Sequence, residues 1–263
     1  MLTPDLDAYT PAKITERVEA AGVSKAELAI MPTFVLALLA GAFIAFGAML
    51  FTLIVTGSDL GFGPTRLLGG IGFSLGLILV VVAGAELFTG NNLIVMAWAD
   101  GKVSTRRLMR NWAIVFVGNL IGGIAMAVMA DLSGAFSMNA GAVGATAIAI
   151  AEAKIALPPL EAFVRGILCN ALVCLAIWLC FAAHSVTDKI LAIVFPIAAF
   201  VALGFANAYL IPAGYFAGAD SVDLAGFIAN MIPVTAGNIV GGSVGVALVY
   251  WVVYGRRNEG QDR

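Results

Sequence analysis

The chain is poor in charge, in histidine and in thiol chemistry. Of its 263 residues only 11% are charged, 61% are hydrophobic, and mean hydropathy is +1.01, whereas soluble domains carry about a quarter charged residues. That scarcity excludes a water-soluble globular protein. A net charge of −2 makes no case for nucleic acid as a partner. His184 is the single histidine, and Cys169, Cys174 and Cys180 share one apolar run. They offer no metal-ligand spacing and read as small packing residues, so neither a metal nor another cofactor is expected. A membrane enzyme needs titratable groups converging at one depth. Well inside the spans there is one carboxylate, Glu86, which gives enzymatic chemistry little to stand on.

What fills the chain instead is hydrocarbon. Runs near 33–55, 68–98, 111–130, 160–182, 189–214 and 228–254 each reach the roughly 20 residues needed to cross a bilayer, and the second and fifth are interrupted. The first 30 residues lack the basic start and short apolar core of a cleavable signal. They predict a cytoplasmic amphipathic helix, "PAKITERVEAAGVSKAELA", along the membrane face. If six spans alternate, eleven of the 14 Lys and Arg residues fall on one side, and Arg66, Lys154 and Arg165 on the other. That bias predicts a multi-pass protein of the inner (cytoplasmic) membrane with both termini cytoplasmic. The division is then an N-terminal helix at 1–30, a channel domain at 31–255 and a tail at 256–263.

The channel domain is two copies of one unit. "GNLIGG" at 118–123 in the third span recurs as "GNIVGG" at 237–242 in the sixth, both holding the GxxxG spacing that brings helices close. A three-span unit enters on one face and leaves on the other, so its second copy is inverted, as in many transporters and channels. The copies run about 31–135 and 155–255. In such folds the middle helix of each copy breaks where backbone lines a cavity. The breaks fall at "ELFTGNN" in span two and around "GFANAYLIPAG" in span five, where Gly204, Asn207, Pro212 and Gly214 weaken the helix.

A carboxylate at bilayer depth is costly, and Glu86 has two readings. It is a titratable group facing the pore, or a clamp accepting hydrogen bonds from free N–H groups at the helix break. The positive end of a half-helix favours the clamp. Asn119, Asn170 and Asn238 are buried amides whose donors and acceptors need partners, more readily from helices or loops than from substrate. Lys154 and Arg165, at the outer entrance, either attract an anion or anchor the interface. His184 reads as a solvated loop residue.

"VVAGAELFTG" at 81–90 and "GILCNALVCLA" at 166–176 resemble, in order, the two signatures of the formate/nitrite transporter family, and its formate channel branch most closely. Glu86 takes the acidic position of the first. Ala171 departs from the second, where a larger apolar residue is usual. "GFSLGLIL" at 72–79 and "IPVTAGNIVGG" at 232–242 match further, and "EAAGVSKAEL" at 19–28 more loosely. Over nearly the whole chain, the resemblance implies an all-α, aquaporin-like fold of six spans and a homopentamer with one pore per protomer. It implies passage of small monovalent anions of weak acids such as formate and nitrite across the lipid bilayer. It also implies a cytoplasmic narrowing at Phe73 and Leu77 and an outer one at Leu87, Val173 and Phe200. Glu86, Thr89 and Asn207 fall on the pore loops, and Lys154 and Asn170 on the anion approach.

One departure stands out. The family carries a Glu-His-Ser-Ile type run in the span-five break, and here "GFAN" at 204–207 runs straight through. The internal repeat has the same gap. The first copy reads Gly84-Ala85, then Glu86 to Thr89, then Gly90-Asn91, and the second passes from Gly204-Phe205 directly to Ala206-Asn207. The missing residues include the central histidine that the family uses to hydrogen-bond or protonate the anion. The remaining donors are Thr89, Asn170, Asn207 and half-helix N-termini, which predicts reduced flux or a lost pH dependence. If the helix continued through the gap, the residues beyond it would rotate by about 40° and shift by about 6 Å. Three other readings are a nitrite or hydrosulfide channel of the same family, a transport-impaired scaffold, and an aquaporin-type neutral-solute channel. The last would carry an Asn-Pro-Ala pair at the breaks, which is absent.

Overall fold

Long apolar runs with glycine and alanine at helix-packing intervals leave the backbone one way to satisfy itself in lipid, the α-helix. The structure, a computed structural model, describes residues 8–203 and 206–255. The proposed tail at 256–263 lies outside the described residues, as do Gly204 and Phe205 of the second break. The described residues form no strand. The helices are α1 (Pro11–Glu27), α2 (Ile30–Val55), α3 (Phe62–Ala83), α4 (Ile94–Ala99), α5 (Thr105–Leu132), α6 (Ala142–Ile155), α7 (Pro159–Ala182), α8 (Val186–Leu203), α9 (Asn207–Phe216) and α10 (Leu224–Ile239). The last continues as a π-helical stretch, Val240–Leu248. Six helical stretches are long and apolar enough to cross a membrane: α2, α3, α5, α7, α8 and Leu224–Gly255. The short helices α4 and α9 follow α3 and α8 as the second halves of the two interrupted spans.

The GxxxG glycines set the closest approaches. A Cβ on Gly118 would sit 2.5 Å from the Ala37 Cβ, and one on Gly122 would collide with the Leu38 carbonyl of α2. In the second copy, Gly237 and Gly241 press α10 and its continuation against the Phe163 and Ile167 carbonyls of α7. The two copies meet along α3 and α8, where a Cβ on Gly70 would lie 2.7 Å from the Ala198 Cα. Outward faces carry exposed Ile71, Leu75 and Val82 on α3 and Leu168 and Leu179 on α7, an apolar belt suited to lipid.

The helix α1 departs from expectation. Its buried Ile14, Val18 and Ala26 join a core with Leu93, Ile94, Val95 and Met96, and its Gly22 abuts Ile94 and Ala97 of α4. The face that amphipathicity assigns to lipid is occupied by protein. Each copy thus begins one helix earlier than the three-span pattern indicates, with α1 opening the first and α6 the second.

Candidate functional site

The first break starts where Gly84 turns left-handed at φ 81° after α3, a conformation natural to glycine. The chain becomes helical again in the 3₁₀ turn Gly90–Leu93 and α4. Between them, Asn119 of α5 holds the irregular backbone. Its Nδ2 donates to the carbonyls of Ala37 and Glu86, each at 2.8 Å, and its Oδ1 accepts from the Phe88 N–H at 2.8 Å. One side chain thus satisfies a carbonyl and an N–H freed by the break, and its bond to Ala37 ties them to α2.

At the foot of this break lies a closed ring. The Lys25 ammonium donates to Asn91 Oδ1 at 3.1 Å, Asn91 Nδ2 donates to Asn111 Oδ1 at 2.9 Å, and Asn111 Nδ2 returns to the Lys25 carbonyl at 3.2 Å. Glu86 fastens onto it, accepting from Lys25 Nζ and from Asn91 Nδ2, each at 2.6 Å. The partners of its carboxylate are therefore side chains, not the backbone N–H groups the sequence suggests. Glu86 borders a cavity with Lys25 and Arg17 beneath α1.

The second break repeats the ring. Lys154 of α6 donates to Asn207 Oδ1 at 2.6 Å, Asn207 Nδ2 to Asn230 Oδ1 at 2.7 Å, and Asn230 Nδ2 to the Lys154 carbonyl at 2.6 Å. Lys25, Asn91 and Asn111 thus correspond to Lys154, Asn207 and Asn230, which pairs α1 with α6. Burial pushes the Lys154 ammonium down to about 7, and the like charges of Arg66 and Arg165 add to the shift. Helical structure does not run on through the gap. Ala206 adopts a left-handed φ of 48°, uncommon for a side-chain-bearing residue, and α9 starts at Asn207.

Sequence reading missed Lys25, Asn91, Asn111 and Asn230 as a set. The signal was available: Asn111 precedes Asn119 by eight residues, as Asn230 precedes Asn238. The position of Lys25 outside the three-span repeat hides it.

Between the breaks lies a cavity of about 160 Å³. Phe73, Leu77, Leu87, Thr89, Val173, Phe200, Lys154, Asn170 and Asn207 all line it, so of the pore-loop, narrowing and anion-approach residues expected from the resemblance only Glu86 lies elsewhere. The rings of Phe73 and Phe200 stand 5.7 Å apart by centroid. Asn170 is fully buried; its Nδ2 donates to the Asn238 carbonyl at 2.6 Å and its Oδ1 accepts from the Cys174 thiol. Arg165 also lines the cavity and pairs with Glu161. His184 is exposed, its ring tilted against that of Tyr9 with centroids 4.3 Å apart.

Six spans, two inverted copies and one apolar cavity between two broken helices constrain the kinship closely, and comparison with known proteins resolves it. The profile of the formate/nitrite transporter family matches residues 12–252. The chain belongs to the formate/nitrite transporter family. It is 40% identical to the formate channel FocA of Escherichia coli K12, over 96% of this chain and 97% of that protein. It is 39% identical to a probable formate transporter of Methanothermobacter thermautotrophicus, over 93% and 97%. A solved structure of a pentameric formate channel with formate bound superposes with a TM-score of 0.80 at 41% identity, covering 86% of this chain and 97% of that one. These relatives are channels and transporters, and family membership makes the cavity between the breaks the place to look for a permeation path.

Proposed function

We propose that the chain conducts small monovalent anions of weak acids, formate foremost, through one pore in each protomer of a homopentamer. The observation that carries this reading is the cavity uniting Phe73, Leu77, Leu87, Val173 and Phe200 with Thr89, Asn170 and Lys154. The setting is that of an inner membrane with both termini cytoplasmic, supported by the eleven-to-three bias of basic residues.

The chemistry follows from the lining. Apolar walls exclude hydrated ions, because shedding water from a bare charge costs many kcal/mol. Lys154 supplies positive potential at one end, and hydroxyl and amide donors replace lost water. Phe73 and Leu77 narrow one part of the path, and Leu87, Val173 and Phe200 another. Glu86, tied to Lys25 and Asn91, holds the first break in shape and stays off the path. Without the Glu-His-Ser-Ile run, no imidazole protonates the anion midway.

Proteoliposomes loaded with formate or nitrite test this across pH 5 to 8. Saturable efflux above protein-free vesicles is expected, slower than after Glu-His-Ser-Ile is inserted between Phe205 and Ala206. No flux of any small weak-acid anion would overturn the reading.

A further inference from the structure

The two copies treat equivalent positions differently where the second break is short. In the first, Asn119 meets the Glu86 carbonyl and the Phe88 N–H of the break as well as the Ala37 carbonyl of α2, and Phe116, three residues before it, packs edge-on against Phe88 at 5.3 Å. The counterparts in the second copy are Asn238 and, three residues before it, Thr235. The segment that would meet them, the equivalent of Glu86 to Thr89, is missing from the sequence. The consequence is visible in the side chains. Among the described residues, the Asn238 amide has no hydrogen-bond partner, and neither does the Thr235 hydroxyl. Both line the pore cavity, together with Met231 and Val234 of the same α10 face. Residues three apart on a helix share one side, so amide and hydroxyl point into the same space. Asn170 holds this turn in place through the Asn238 carbonyl, leaving the side-chain amide unused. Thr89, whose hydroxyl also lacks a partner among the described residues, lines the same cavity.

We propose that Asn238 and Thr235 form a hydrogen-bonding site for the permeating anion, a small carboxylate or nitrite, built into the niche that the shortened break vacates. This deepens the channel reading and rests on it. The amide offers two N–H donors and the hydroxyl one, enough to meet both oxygens of a formate or nitrite ion. Both donors are neutral, so the site works without a proton transfer and across a broad pH range. In the first copy the same niche is filled by Phe88 and Phe116, so the site is one-sided.

Two measurements on the purified full-length protein test the site separately from transport. The first is formate concentration dependence in proteoliposomes. The second is line broadening of carbon-13 formate by detergent-solubilised protein, which needs no flux. The variants are T235V, which keeps shape and removes the hydroxyl, N238A, and N238D, which keeps shape and places a carboxylate against the anion. Thermal unfolding and size exclusion verify assembly. A hydrogen bond to a charged partner is worth enough that T235V and N238A should each raise the half-saturating formate concentration about tenfold. N238D should abolish both flux and broadening. Broadening that N238D removes, even where wild-type vesicles show no flux, supports the site while overturning the channel reading. Wild-type concentration dependence in assembled T235V and N238D overturns the site and leaves the channel reading standing. Absence of both flux and broadening in the wild type overturns both.

Discussion

At the scale of single residues, the two lysines in the rings behave differently because of what surrounds them. Lys25 keeps about a third of its side chain exposed (34%), and its partner Glu86 is buried at 8%. Removing Lys25 leaves a buried carboxylate with Asn91 alone. K25M should therefore lower stability by roughly 2–3 kcal/mol, below the range for a fully buried pair because Lys25 is partly solvated. The double variant K25M/E86Q should recover part of that loss, and thermal unfolding in detergent measures both. Lys154 is buried and titrates near neutrality. On the proposed channel reading, below about pH 7 it is an ammonium that draws anions toward the cavity, and above that it is neutral and the attraction fades. Formate flux should fall as pH on the Lys154 side rises through about 7, and K154M should remove this step. A step that survives in K154M would assign the proton to another group.

At the scale of elements, the paired helices of each copy depend on glycines that meet backbone carbonyls. Carbonyls fixed in a helix cannot yield, so Gly122→Leu between α5 and α2, or Gly241→Leu against α7, should cost at least the roughly 1–3 kcal/mol of ordinary overpacking. Reduced yield of assembled protein on size exclusion and a lower unfolding temperature are the readouts. These contacts were legible in the sequence, because "GNLIGG" and "GNIVGG" declare both the repeat and its tightest seams. The helix breaks were legible too, since glycine and asparagine interrupt hydrocarbon where nothing else does. The destination of α1 was not. A periodic apolar face says that a helix lies on something, and Ile14 and Val18 would read the same over lipid as over α4. Only the ring through Lys25, joined by residues 66 and 86 positions away, separates the two, and no local pattern announces it. Asn238 escaped for the opposite reason: it shares its motif with Asn119, and the motif alone gives both amides the same duties.

At the scale of the whole molecule, the proposed pentamer divides the exposed apolar faces between lipid and neighbouring protomers. The proposed assembly predicts a native mass of five chains, about five times 27.1 kDa plus bound lipid or detergent, and native mass spectrometry checks it. A monomeric mass would remove the pentamer while leaving the pore of each protomer intact. The residues that the resemblance assigns to the pore, Glu86 aside, line one cavity, and it was the resemblance that supplied their expected roles. Physical reading of the residues supplied only that polar groups at depth need partners. The two rings also carry a consequence for biosynthesis. The first closes between Lys25 and Asn111, 86 residues apart, and the second between Lys154 and Asn230, 76 apart. At about 5–20 residues per second of synthesis, the ribosome spends roughly 4–17 s making the stretch between Lys25 and Asn111. Throughout that interval α1 has been made and α4, its eventual seat, is still unwritten or newly emerged. The nascent helix must shelter Ile14 and Val18 elsewhere, and the nearest apolar surface is the bilayer beside the translocon. The amphipathic pattern of α1 thus serves the unfinished chain as well as the finished one.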